Sequence, residues 1–132
     1  MADTTTSKPV ARPVGDPIEA LTYFFKLATT QDHSAARVAA CLLLGLYNGG
    51  RFKFDLTDLR LLDGENLKRA LVLIAFDARP SMEVHQWLNR VYDRTDFGAR
   101  FEHMAHRWAI KGKCRKAWLN PVQPISLGGC DQ

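Results

Sequence analysis

The stretch Gly45-Leu46-Tyr47-Asn48-Gly49-Gly50-Arg51-Phe52-Lys53-Phe54-Asp55-Leu56-Thr57-Asp58-Leu59-Arg60-Leu61-Leu62-Asp63 decides the fold class. It closes one helix, crosses a tight connection and opens two more. The helix it closes contains the longest apolar run of the chain, Val38 to Tyr47. A helix apolar nearly all round is buried among other helices. Asn48-Gly49-Gly50 ends it, since Asn and Gly accept the left-handed backbone that helix ends favour. Gly45 lies on the Val38/Leu42 face and costs about 1 kcal/mol of helix propensity relative to alanine. Its expected use is to let a neighbouring helix approach closely. Phe52-Lys53-Phe54 alternates but is too short to argue for a sheet. Asp55 reads as the cap of a short helical turn, Leu56 to Leu62, and Asp63 opens the next helix.

Working outward, Asp16-Pro17 starts a first helix, with Asp as N-cap and Pro at the first helical position. Ile18, Leu21, Phe25 and Ala28 give it one apolar face. Gln31 to Ser34 is a break, and Asp32 or Ser34 is the expected cap of the helix over 34–47. Downstream, the helix from Gly64 to Asp77 places Leu67, Leu71, Ile74 and Ala78 on one side, and Pro80 stops it. Ser81 is the expected cap of a helix through Val91. Thr95 or Asp96 caps a last helix whose Phe97, Phe101, Met104, Ala105 and Trp108 share about 100° of arc. The pattern predicts an all-α, compact bundle of five or six helices, with helices 34–47 and 64–77 central. It also predicts a flexible N-terminal arm over 1–15, a single helical domain over 16–110 and a basic, Pro/Gly-containing tail over 111–132.

At 132 residues with 46% hydrophobic content, the chain can build one core without metals or disulfides. Three irregularly spaced cysteines, Cys41, Cys114 and Cys130, form no disulfide framework. No apolar leader is visible and the longest apolar run is half a membrane span. The expectation is a soluble, cytoplasmic bacterial protein that does not enter a membrane.

Charge is concentrated. The chain carries 18 Lys and Arg against 14 Asp and Glu. Five of those cations, Arg107, Lys111, Lys113, Arg115 and Lys116, fall together before Trp118 with no acid among them. Cations bind phosphate and tryptophan stacks on bases, so Arg107, Lys111, Lys113, Arg115, Lys116 and Trp118 form the candidate binding segment. A solvated tail or a contact for an acidic protein surface explains the same run.

Other candidates have a plainer reading. His103 and His106 have the i,i+3 spacing that can serve one metal, but solvated surface histidines explain them better. Asp55, Asp58 and Asp63 could hold a divalent cation, yet each stands where a helix start favours negative charge. Cys41 sits in an apolar helix. Cys114, between Lys113 and Arg115, has a thiolate-favouring setting but no adjacent base. No phosphate loop, dinucleotide, nucleophile-elbow or zinc-protease motif occurs. The reading is therefore a non-enzyme without a cofactor or a resident metal.

Leu42-Leu43-Leu44-Gly45-Leu46-Tyr47-Asn48, Phe54-Asp55-Leu56-Thr57-Asp58-Leu59, Leu62-Asp63, Phe101-Glu102 and Arg107-Trp108 resemble a small family of uncharacterised proteins of proteobacterial mobile elements. The resemblance covers roughly residues 35–110 and transfers no activity. It implies a genomic setting, in which small proteins often disarm host defences, anti-CRISPR inhibitors among them. The expected function is that of a non-enzymatic macromolecular interaction protein, its partner a host or element-encoded protein or ribonucleoprotein with an acidic surface. The alternative is a nucleic-acid-binding accessory protein acting on DNA or RNA through the basic segment. A metal-dependent enzyme using His103 and His106 comes third.

Overall fold

Asp16 starts the bundle: its Oδ1 accepts the Ile18 N–H at 2.8 Å, and Pro17 follows as the first residue of α1, Pro17–Thr30. The computed structural model describes residues 12–109. Among them the remaining elements are α2 (Ser34–Tyr47), a 3-10 helix (Leu56–Leu61), α3 (Gly64–Asp77), α4 (Val84–Tyr92) and α5 (Phe97–Arg107), with no strand. The all-α bundle of six helices is therefore what forms. Of the expected arm only 12–15 fall among the described residues, and the expected tail over 111–132 lies outside them.

Several helix ends are built differently from the local expectation. His33 caps α2 in place of Asp32 or Ser34, its Nδ1 accepting the Ala36 N–H at 3.3 Å. The imidazole Nδ1 stands as many bonds from Cα as an Asn side-chain oxygen, so it fills the same role. Asn48 does close α2, but with φ −158 it is not left-handed. Its Oδ1 accepts from Gly50 and Arg51, each at 3.2 Å, an Asx turn that needs no positive φ. Ser81 caps nothing: α4 starts after Glu83, whose N–H bonds to Gln86 Oε1 at 2.9 Å, half of a capping box. Asp96 precedes α5, yet the Phe97 N–H is taken by Asn89 Oδ1 at 3.0 Å, while the Asp96 carboxylate pairs with Arg100 at 3.0 Å. The 3-10 helix and α3 follow expectation, with Asp55 accepting from Thr57 at 2.9 Å and Asp63 from Asn66 at 2.8 Å.

The core runs through α1, α2 and α5. Phe24, Phe52, Phe97, Phe101, Leu21, Leu43 and Leu44 are all but inaccessible. Phe25 meets Phe97 edge-on with centroids 5.1 Å apart and lies 5.5 Å from Phe101. Each such buried side chain contributes about 1.5–3 kcal/mol. α2 is central as its pattern predicts. α1 packs along both α2 and α3 and is buried more deeply than its own pattern suggests.

α3 turns a different face inward from the one its leucines mark. Asn66, Arg69, Ala70 and Leu73 are its buried residues, whereas Leu71 of the expected Leu67/Leu71/Ile74/Ala78 face is 53% exposed. Gly45 does admit a close neighbour, though not a helix. A Cβ there would stand 3.3 Å from Phe54 Cβ and 3.7 Å from the Phe52 carbonyl. The bare backbone of α2 is thus the bed on which the 52–54 segment lies.

Candidate functional site

Three places in the described structure carry polar or exposed groups worth weighing. The first is buried. Glu102 of α5 is fully inaccessible, and its carboxylate receives both ends of the Arg51 guanidinium at 2.7 Å. The Tyr47 hydroxyl donates to the same carboxylate at 2.7 Å. Arg51 also covers the Phe52 ring at 4.7 Å. Tyr47 packs on Phe101 at 4.9 Å and on the edge of His85 at 5.2 Å. Glu102's hydrogen bonds drive the Arg51 pKa further above its usual value, fixing the guanidinium as a cation. This constellation ties α5 to the exit of α2. With both oxygens engaged, the carboxylate acts as an anchor. His85 has a buried Nδ1 without a hydrogen-bond partner among the described residues, and burial lowers its pKa.

The second place is an apolar groove of about 260 Å³. Leu42, Gly45, Leu46 and Gly49 of the α2 end form one wall, Ile74 of α3 another, and Phe52, Phe54 and Leu56 the floor and lip. Lys53 is the charged residue in its lining. Leu56 in its lining is 70% exposed, and Leu71, one turn before Ile74 on α3, is 53% exposed. The groove exists because α2 and α3 meet only slightly, with the 52–54 segment wedged beside Gly45.

The third place is the corner where α5 ends. The Trp108 indole N–H and an Arg107 N–H both donate to the Ala28 carbonyl, at 2.7 and 2.9 Å. Ala28 lies in the last turn of α1, where carbonyls have no helical partner. Arg107 also stacks over Trp108 at 4.9 Å, and Arg37 of α2 donates to the Trp108 carbonyl at 3.3 Å. Arg107 is thus brought into this corner as part of the fold's fastening as well as a surface cation. Lys111, Lys113, Arg115, Lys116 and Trp118, the rest of the candidate segment, lie outside the described residues, as does Cys114.

The other sequence candidates separate. Asp55 and Asp63 cap helices, as above, and Asp58 lies in the first turn of the 3-10 helix. His106 is exposed and His103 half-buried. Among the described residues no three His, Cys, Asp or Glu side chains come together as a metal cluster would need. Cys41 is half-buried, and burial raises its thiol pKa, away from reactivity. No helix among the described residues is long and apolar enough to cross a membrane.

Sequence reasoning missed Glu102 and Arg51. An acid beside an aromatic helix stripe reads as a solvent-facing residue, and Arg51 reads as part of a loop. The one signal was their neighbourhood in the resemblance, where Tyr47, Glu102 and the Arg107-Trp108 pair all stood in the quoted motifs. Those motifs are now seen to hold the joints of the bundle. The chain matches a family of unknown function, DUF7673, over residues 18–109. The chain belongs to this family. The DUF7673 match begins at α1 and ends one residue past Trp108, so it spans the α1-to-α5 fastening that the shorter resemblance only half covers. No curated protein and no solved structure matches the chain.

Proposed function

We propose that this DUF7673 protein is a non-enzymatic interaction protein that receives an amphipathic helix of a partner protein in the α2/α3 groove. The observation that carries the reading is the exposed apolar surface around that groove, with Leu56 70% and Leu71 53% accessible. An exposed apolar groove on a protein surface is a feature that binding of another molecule explains. A trough walled by two helices suits a helix bearing apolar residues at i, i+3, i+4 and i+7. Lys53 in the lining favours a partner whose helix flanks that stripe with acidic residues, in keeping with an acidic partner surface. Stoichiometric occupation of a host defence protein, anti-CRISPR activity among the possibilities, is the specific form suggested by the mobile-element resemblance.

The test is affinity capture from an extract of the producing cells, with nuclease added, using the wild type, Leu56→Asp and Leu71→Asp. One stoichiometric protein should be retained by the wild type and lost from both variants, whose melting temperatures stay near the wild-type value because both side chains are already in solvent. Equal recovery on all three proteins, or none on any, would overturn the reading.

A further inference from the structure

The start of α2 carries an inference that does not depend on the groove. We propose that His33 is a proton-operated latch: its neutral ring holds the first turn of α2 closed, and protonation releases that turn. His33 Nδ1 accepts the Ala36 N–H at 3.3 Å, so this nitrogen keeps its lone pair and the ring proton sits on Nε2. An imidazolium has an N–H on both nitrogens and accepts nothing. Protonation therefore removes the cap and also sets a positive charge at the positive end of the helix dipole. Ala36 is inaccessible to solvent, so its N–H has no water to turn to unless the turn opens. His33 itself is exposed, and a proton reaches the ring without any unfolding. Histidine is the side chain that changes charge between about pH 5 and 8. Asp32 and Ser34 flank it. Both are preferred capping types that hold one charge state over that range, yet α2 is capped by the residue that titrates.

What the latch holds is the joint between α1, α2 and α5. The Arg37 N–H bonds to the His33 carbonyl at 3.1 Å, and the Arg37 guanidinium donates to the Trp108 carbonyl at the end of α5 at 3.3 Å. Opening the first turn frees the backbone from which Arg37 reaches α5. The charged and titratable groups on the elements that meet α2 here are Asp32 beside the ring, Lys26 on α1, Arg37 on α2 itself, Asp58 on the 3-10 helix, and His106 and Arg107 on α5. Lys26, Arg37 and Arg107 outnumber Asp32 and Asp58, so these surroundings do not offset the added charge. The cap's contribution is thus present at high pH and lost as the ring takes up a proton.

NMR on the full chain tests this, through the ring nitrogens of His33 and through amide protection, the exchange rate corrected for the intrinsic effect of pH. At about pH 7.5 the His33 ring should show a bare Nδ1 and a proton on Nε2. Lowering the pH to about 5.5 should cut the protection of the Ala36 and Arg37 amides about 5-fold, the scale of a lost side-chain cap. His33→Asn, which caps without titrating, should keep that protection at both pH values, and His106→Gln should behave as the wild type does. Four results would overturn the proposal: a neutral ring with its proton on Nδ1, equal wild-type protection at the two pH values, the same loss in His33→Asn, or disappearance of the loss in His106→Gln.

Discussion

Among the described residues, two arginine–glutamate pairs fasten the bundle, and they differ in how deeply the acid lies. Arg51–Glu102 joins the α2 exit to α5, with Glu102 at 0% and Arg51 at 18% exposure. Arg69–Glu19 joins α3 to α1 at 2.9 Å, with exposures of 9% and 15%. Both guanidiniums lie over an aromatic ring, Phe52 at 4.7 Å and Tyr23 at 3.8 Å. Arg69 has a neutral second partner, Asn66, at 2.8 Å, whereas Glu102 has Tyr47. The more deeply buried the carboxylate, the more its desolvation must be offset by partners, and the more the fold depends on keeping every one of them.

That difference sets the order of expected effects. Glu102→Ala takes a buried carboxylate away from both Arg51 and the Tyr47 hydroxyl and should lower unfolding free energy by about 3–5 kcal/mol in urea titration. This is a large fraction of what a domain of this size has. Glu19→Ala should cost less, about 2 kcal/mol, because Arg69 keeps Asn66, the Tyr23 ring and some water. Equal losses in the two variants would break the comparison.

Asp77 sharpens it from the opposite side. Burial pushes its carboxyl up to about 6 from 3.8, and Glu83 beside it adds a like charge where the other two acids have a guanidinium. The folded state therefore holds this proton more tightly than the unfolded chain does, so this group's contribution to stability falls as pH rises from about 4 to about 6. Asp77→Asn should remove that slope and raise stability at pH 7 by about 1–2 kcal/mol, allowing for screening at a partly exposed site. Thermal melts from pH 4 to 7 check both the sign and the window. Smallest is Trp108→Phe, which removes one hydrogen bond to the Ala28 carbonyl and should cost about 1 kcal/mol. Pairing it with Arg107→Ala in a double-mutant cycle shows whether the two donors to that carbonyl act as a unit.

The helices were legible in the chain because their signals are local. Asp16-Pro17, Asp55, Asp63 and the Asn48-Gly49-Gly50 stop lie within a few residues of the backbone groups they satisfy. The caps of α2, α4 and α5 were less legible. His33, Glu83 and Asn89 compete there with better-known capping residues, and Asn89 reaches Phe97 across eight positions. Of the candidate site, Arg107 was visible as a charge, but its bond to Ala28, 79 residues away, was not. The groove was invisible as well, since Leu71 and Leu56 look like core residues until the neighbours that fail to cover them are known.

What the amino-acid sequence determined by itself is the number of helices, most of their limits and the all-α class, through contacts that span one or two turns. What only the tertiary structure decided is which side of each helix faces inward. α3 has apolar residues on more than one face, so its periodicity permits several orientations of similar burial. The Arg69 tie to Glu19 of α1 is among the contacts that turn Ala70 and Leu73 toward α1 and leave Leu71 in water. Likewise Glu102 is a buried anchor and not a surface acid because Arg51 and Tyr47, some fifty positions earlier, are folded against it.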